Sequence, residues 1–112
     1  MSALTVQTVA LTGLAPAYAV AAVGGDTFVN NPDTFLHVKN GGASPITVTV
    51  VTPATVNSIA IADVAVSVPA AGERMIGPFI PTNLFNDSTG VASITYSAVT
   101  SVTVAAIRVA PV

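Results

Sequence analysis

Residues 46–50 read Ile46-Thr47-Val48-Thr49-Val50, an uninterrupted alternation of aliphatic side chains with threonine. Successive side chains of a β-strand point to opposite faces of the sheet, so this spacing places the three aliphatic residues on one face. Threonine is β-branched and favours an extended backbone even where it faces water. The stretch therefore predicts a half-buried strand in an all-β protein.

The same alternation recurs along the chain and predicts about eight strands. They cover residues 4–11, 35–40, 46–50, 64–68, 91–97 and 102–109, with weaker signals at 58–62 and 74–79. Glycine, asparagine and proline mark turns between them, at 24–25, 30–33, 40–42, 69–72 and 86–90. This spacing indicates an antiparallel β-sandwich with a jelly-roll-like arrangement. Asn40-Gly41 is the best hairpin candidate, joining the strands 35–40 and 46–50.

Residues 16–22 fit two structures. They could form two helical turns with Pro16 in the first turn, or an extended arm that ends at Gly24-Gly25. The chain length suits one domain, so residues 1–112 are predicted to form a single β-sandwich, with residues 1–23 as an N-terminal arm in the alternative reading. No basic residue precedes Lys39, which disfavours a signal peptide and indicates mature structure.

The composition is unusual for its scarcity of charge. Charged residues make up 7% of the chain and hydrophobic residues 52%, while an ordinary soluble domain is about one quarter charged. The mean hydropathy is +0.77. A surface with so few charges is expected to be buried against partners, including further copies of the same chain as a homo-oligomer.

Several classes of partner are disfavoured by the same composition. The net charge is −2 and the three basic residues are scattered, so the clustered Lys and Arg that bind nucleic acid are missing. Polar residues interrupt each apolar run before it reaches the roughly 20 residues that span a bilayer, so a membrane protein is not predicted. The chain has no cysteine, which excludes disulfides and thiolate metal sites.

Catalytic chemistry has weak support. His37 is the only histidine, and a functional reading would combine it with Asp26 or Asp33 and a nearby serine as a triad. The favoured interpretation is a strand histidine on the Lys39 face or at a subunit contact. Acidic residues next to turns usually accept hydrogen bonds from their own loops, and the spacing fits no metal site. We therefore predict no catalytic, cofactor-binding or metal-binding residue, no cofactor, and no enzyme.

The segment from residue 68 to residue 81 combines a turn, a short strand and a proline-rich exit. Glu73 and Arg74 would point to opposite faces of a strand, so each is expected to meet a charge on another strand or another subunit. Pro78 and Pro81 cannot donate to a ladder and protect this edge. Five bulky side chains are expected to pack in the core rather than at an interface: Met75, Phe79, Ile80, Leu84 and Phe85.

Four stretches together carry a resemblance that spans nearly the whole chain. They are Gly24-Gly25-Asp26-Thr27-Phe28, then Thr34 to Gly42, then Val68-Pro69-Ala70-Ala71-Gly72 with Ile76-Gly77-Pro78-Phe79, and finally residues 91–97. This succession resembles small all-β virion proteins of tailed bacteriophages and their prophages, some of which look like capsid decoration, or cement, subunits.

The resemblance implies a structural protein that binds the outer surface of a tailed-phage capsid and stabilises it, with the major capsid protein as partner. It also implies a trimer, a location on the capsid exterior after synthesis in the host cytoplasm, and no catalytic residues. The expected contact elements are the N-terminal segment through Val23 and the loops 30–33 and 83–90.

Three alternatives remain open. A tail, baseplate or receptor-binding component would share the sandwich and the low charge. A carbohydrate-binding module would use exposed aromatic rings, yet aromatic residues are only 5% of the chain and tryptophan is missing. A small hydrolase would depend on His37.

Overall fold

The computed structural model describes residues 2–80 and 82–109 of the 112-residue chain. These residues form one short helix, α1 (Thr82–Phe85), and twelve strands. The strands are β1 (Ser2–Ala3), β2 (Val6–Val9), β3 (Ala19–Val20), β4 (Asp26–Val29), β5 (Thr34–Asn40), β6 (Ile46–Val50), β7 (Thr55–Val56), β8 (Ile59–Ala60), β9 (Val64–Val68), β10 (Gly72–Ile76), β11 (Val91–Tyr96) and β12 (Val102–Val109).

Two five-stranded sheets make up the sandwich. Sheet A has the order β1-β4-β11-β6-β9, and sheet B has the order β10-β5-β12-β2, with β3 also paired to β12. Strands β7 and β8 form a separate small hairpin. Between β4 and β12, most connections lead from one sheet to the other, as in jelly rolls. The predicted all-β antiparallel sandwich is confirmed, although β1 and β2 join their neighbours in parallel.

The core forms because alternation matches the burial of each sheet. Ile46, Val48 and Val50 of β6 are buried, while the threonines between them are only half-buried. On β5 of the opposite sheet, Leu36 and Val38 are fully enclosed. Strand β12 contributes Val102, Val104 and Ala106 in the same way, and other core residues include Phe28, Val68, Ile76, Phe79, Ala92 and Ile94.

The predicted hairpin at Asn40-Gly41 is wrong. Strand β5 lies in sheet B between β10 and β12, whereas β6 lies in sheet A between β11 and β9, so the two do not pair. The intervening loop is a real turn: the Asn40 amide nitrogen donates to the Ser44 carbonyl oxygen, and its oxygen accepts from the Gly42 amide. Turn chemistry predicted the change of direction but carried no information about the sheet that the next strand joins.

The segment 16–22 is extended, which decides between the two readings. Its residues Ala19–Val20 form β3, antiparallel to β12. The Gln7 side chain holds the preceding backbone, since it donates to the Ala17 carbonyl and accepts from the Ala17 amide, both at 2.8 Å. Together with β1 and β2, this strand places the N-terminal segment along both sheets.

The five bulky residues between Met75 and Phe85 divide between core and surface. Phe79 is buried, and Leu84 and Phe85 are half-buried. Met75 and Ile80 are exposed, so the core expectation fails for these two. Strand β10 ends at Ile76, before Pro78, and Pro81 lies outside the described residues.

Candidate functional site

The most chemically organised surface feature lies on the outer face of sheet B. Alternation along β5 directs Leu36 and Val38 into the core and His37 and Lys39 outward, on the shared face that the sequence predicts. In the antiparallel neighbour β10, Glu73 stands opposite Lys39. The extended segment before β3 brings Tyr18 over the same face.

These side chains form a continuous hydrogen-bonded series. The Tyr18 hydroxyl lies 2.7 Å from His37 Nδ1, and His37 Nε2 lies 3.0 Å from Glu73 Oε1. A carboxylate can only accept, so Nε2–H donates to Glu73, and in the tautomer that carries this proton alone Nδ1 accepts from the Tyr18 hydroxyl. The Tyr18 ring meets the imidazole edge-on at 71°, and the Lys39 ammonium lies 4.2 Å from the centre of the Tyr18 ring.

We refer to Tyr18, His37, Lys39 and Glu73 as the outer-face cluster. Its first action is mechanical, because it joins three separate segments of the chain: the residues before β3, strand β5 and strand β10. It also links a buried side chain to an exposed one, since the His37 side chain is only 8% exposed and that of Glu73 is 59% exposed. A groove of about 340 Å³ runs beside Tyr18, lined also by Leu4, Gln7 and Ala105.

The hypothetical triad of His37 with Asp26 or Asp33 is not formed. Both ring nitrogens of His37 are engaged by Tyr18 and Glu73. Asp26 instead accepts from the Tyr96 hydroxyl, and Asp33 from Arg108. Glu73 reaches another strand, at His37 of β5, although the partner is an imidazole and not the charged group that was expected.

A second polar pair lies inside the sandwich. Asp26 is fully buried and accepts from the Tyr96 hydroxyl at 2.6 Å and from the Ala22 amide at 3.3 Å, both at Oδ2. Within the described part of the chain, Oδ1 has no hydrogen-bond partner. Burial, followed by the hydrogen bond to Asp26 and the charge of that carboxylate, raises the pKa of Tyr96 well above its ordinary value.

The remaining aspartates stabilise local structure. Asp63 accepts from the Thr52 amide and hydroxyl at 2.9 and 3.0 Å. Asp87 accepts from the Thr89 hydroxyl, the Thr89 amide and the Val91 amide, and these bonds lower its pKa. The prediction that such residues serve their own turns is confirmed for Asp87.

Neither metal nor membrane features emerge from the described residues. Across residues 2–80 and 82–109, no three His, Asp or Glu side chains come together in a group that could hold a metal ion. No helix in this part of the chain has the length and apolar character needed to cross a bilayer.

No protein-family model matches the chain, and neither does any curated protein or solved structure. The functional conclusion therefore depends on this chain's own residues.

Sequence reasoning did not identify Tyr18 as a partner of His37. The alternation of β5 placed His37 and Lys39 on one face, but the two partners come from 19 residues before His37 and 36 residues after it. Only the packing of three segments against each other brings these groups together. The ambiguity of residues 16–22 was the one local sign that this segment lacked a regular pattern of its own.

Proposed function

We propose that this protein is a structural component of a tailed-phage virion that binds the outer surface of the capsid and stabilises it. The observation that carries the proposal is the character of the N-terminal segment. No charged residue precedes Asp26 in the sequence. Within that uncharged stretch, Val9, Leu11, Val20 and Val23 are exposed. These four are among the ten large hydrophobic residues that are exposed in the described part of the chain.

Such a surface suits repeated binding to a protein shell. The centre of a protein–protein interface is depleted of charged residues, because desolvating a charge without a matched partner is costly. Each copy would bury apolar side chains against the major capsid protein, and association into a homo-oligomer, preferably a trimer, would multiply modest contacts into firm retention. The location is then the exterior of the capsid.

In the two loops that we expect to contact the capsid, one residue is already engaged within the fold. Asn30 is buried, and its amide donates to the Phe79 carbonyl at 3.1 Å and to Asn86 Oδ1 at 2.8 Å. This residue therefore ties the loop 30–33 to the loop 83–90 and is not available to a partner. Pro32 and the tip at residues 87–89 remain exposed and could reach the shell.

The first test is to locate the protein in particles by immunogold electron microscopy of the source phage. Gold over the heads supports capsid decoration. Gold confined to the tails would transfer the protein to the alternative class of tail, baseplate or receptor-binding components, and unlabelled particles would contradict a virion role.

The second test measures binding to undecorated capsids. Deleting residues 1–11 would remove β1 and β2 and so disturb the fold. We therefore choose Leu11→Asp, which introduces one charge at a position where the side chain packs against little else. Losing the burial of one leucine is worth about 1.5–3 kcal/mol, so we expect capsid affinity to fall about tenfold or more. Ile59→Asp, at an exposed position in the β7–β8 hairpin, is the matched control. Equal weakening by both variants would contradict a contact through the N-terminal segment.

A further inference from the structure

The four edges of the two sheets differ in how they are protected. Strand β1 has only two residues, and β10 carries Glu73 and Arg74. Beside β2, the Gln7 side chain engages the backbone at Ala17. Strand β9 is less protected: its five residues, Val64–Val68, contain neither charge nor proline, and the Asn40 side chain reaches only the Val68 carbonyl at one end. Natural proteins normally blunt a free edge in one of these ways, because an open row of backbone groups pairs readily with another strand.

The backbone groups that β9 leaves open can be identified from its neighbour. Thr47 of β6 accepts from the Ser97 amide, and its own amide donates to the Ser97 hydroxyl, so its backbone faces β11. The backbone N–H and C=O groups of alternate residues in a strand point to opposite neighbouring strands. Those of Val48 therefore point to β9, where Val48 pairs with Val66. Val66 therefore bonds β6, and the adjacent Ala65 and Ser67 direct their N–H and C=O groups away from the sheet.

We propose that two copies of this chain join through β9, with the strands antiparallel and the two-fold axis at Val66. In this register Ala65 of each copy stands opposite Ser67 of the other. The pair exchanges both of its backbone hydrogen bonds, and it occurs twice, so the junction has four. Sheet A then continues across the two molecules. This two-fold junction is a different association from the trimer preferred above, and it does not rest on the proposed capsid contact, because β9 lies at the opposite edge of sheet A from β1.

A second copy fits this edge better than an unrelated strand because the register is self-complementary. The side chains opposed on the outer face are the small Ala65 and Ser67, both exposed. On the inner face, the exposed Val64 stands opposite Val68 of the other copy, which is already fully buried in its own molecule, so Val64 alone contributes exposed apolar surface there. The nearest charge, Asp63, falls at opposite ends of the junction. Six residues of strand then separate the two carboxylates, or about 20 Å, and like-charge repulsion is small.

Single cysteines test the register directly, since the chain has none of its own. Residues facing each other in a non-hydrogen-bonded antiparallel pair have Cα atoms about 4.5 Å apart, within the range of a disulfide. Val66→Cys should therefore form a disulfide-linked dimer under mild oxidation. In Ala65→Cys the two cysteines are offset by two residues, beyond the roughly 7 Å limit, and should remain mostly unlinked. Efficient linkage of both variants, or of neither, would overturn the proposal.

Sedimentation equilibrium provides a test that needs no cross-link. Ala65→Pro removes an N–H group that β6 does not use, a position where an edge strand tolerates proline. We expect this variant to weaken self-association at least tenfold, while Ala65→Thr, which keeps the N–H, associates like the wild type. The circular dichroism of both variants should match. A wild type that stays monomeric, or an Ala65→Pro variant that associates normally, would overturn the junction. Capsid binding by the same variants then reports on the proposed function separately.

Discussion

The interior of the sandwich and the outer face of sheet B meet on the same strand, β5, and bury side chains by different means. Leu36 and Val38 turn inward and are fully enclosed by aliphatic and aromatic neighbours. His37, between them, is nearly as buried, yet its surroundings are Tyr18 and Glu73. Equal burial on the two faces therefore rests on packing in one case and on hydrogen bonds in the other.

The interior also contains a fully buried carboxylate. Asp26 and Tyr96 lie on the inward faces of β4 and β11, the strands that carry Phe28 and Ile94 into the core. Gly25 makes room for this arrangement: its φ is +104°, and a Cβ at that position would collide with the Ile94 carbonyl. The interior is thus dominated by apolar packing but also contains the hydrogen bond from Tyr96 to Asp26.

Removing an aromatic ring from the interior should have the largest effect on stability. Phe28 is almost fully buried and packs against Phe79, with ring centres 5.3 Å apart. We expect Phe28→Ala to lower the free energy of unfolding by about 3–5 kcal/mol, because it loses apolar burial and leaves a cavity. Urea denaturation followed by circular dichroism measures the loss.

The neighbouring Val29 provides the control. It belongs to the same strand but points outward and is 56% exposed. Val29→Ala should change the free energy of unfolding by no more than about 0.5 kcal/mol. Similar losses for the two variants would show that the strand, and not the inward ring, determines stability here.

The parts of this interior that are local were predictable from the sequence. Residues 46–50 and 64–68 were predicted with the bounds that β6 and β9 have, because side-chain alternation fixes both the extended backbone and the buried face. Strand β4 was not predicted. Its four residues begin with Asp26, and a charged residue at an inward position breaks the pattern that identifies a strand.

What the sequence could not supply is the pairing of distant segments. The hydrogen bond that makes Asp26 acceptable inside the core comes from Tyr96, 70 residues away. The hairpin at Asn40-Gly41 failed for the same reason, since turn residues specify a local reversal and not the neighbour of the next strand. The outer-face cluster likewise depends on the register of β5 against β10.

The buried polar pair should show the next largest effect. Tyr96→Phe keeps the ring and removes the hydroxyl that donates to Asp26. The Asp26 carboxylate then retains the longer bond from Ala22. Leaving a buried acceptor poorly satisfied costs about 1–2 kcal/mol at neutral pH. A variant as stable as the wild type would contradict this role for the hydroxyl.

The same pair predicts how stability changes in alkali. The folded protein raises the pKa of Tyr96, so folding favours the protonated phenol. The stabilisation is fully present below the unfolded value of about 10 and is lost as the pH rises above it. Denaturation curves from pH 8 to pH 11.5 should show a decline in the wild type that is shallower in Tyr96→Phe. Parallel curves would indicate that other groups cause the alkaline loss.

Substitutions in the outer-face cluster should change the free energy of unfolding least. They separate the contribution of hydrogen bonding from that of charge. Glu73 accepts from His37 but is largely exposed, so solvent weakens the interaction between the two side chains. Glu73→Ala should lower the free energy of unfolding by up to about 1 kcal/mol, whereas Glu73→Gln keeps an acceptor oxygen and should lose less than about half of that. Both are measured by urea denaturation at the same pH.

The adjacent Arg74 completes the comparison between the two faces. Its side chain is exposed and donates only to the Glu73 carbonyl among the described contacts, so Arg74→Ala should leave stability almost unchanged. If Glu73→Gln lost as much as Glu73→Ala, the carboxylate charge and not the acceptor would stabilise His37. The outer face would then depend on electrostatics, and its contribution should fall with added salt, because screening weakens exposed charges far more than it weakens a core held by apolar packing.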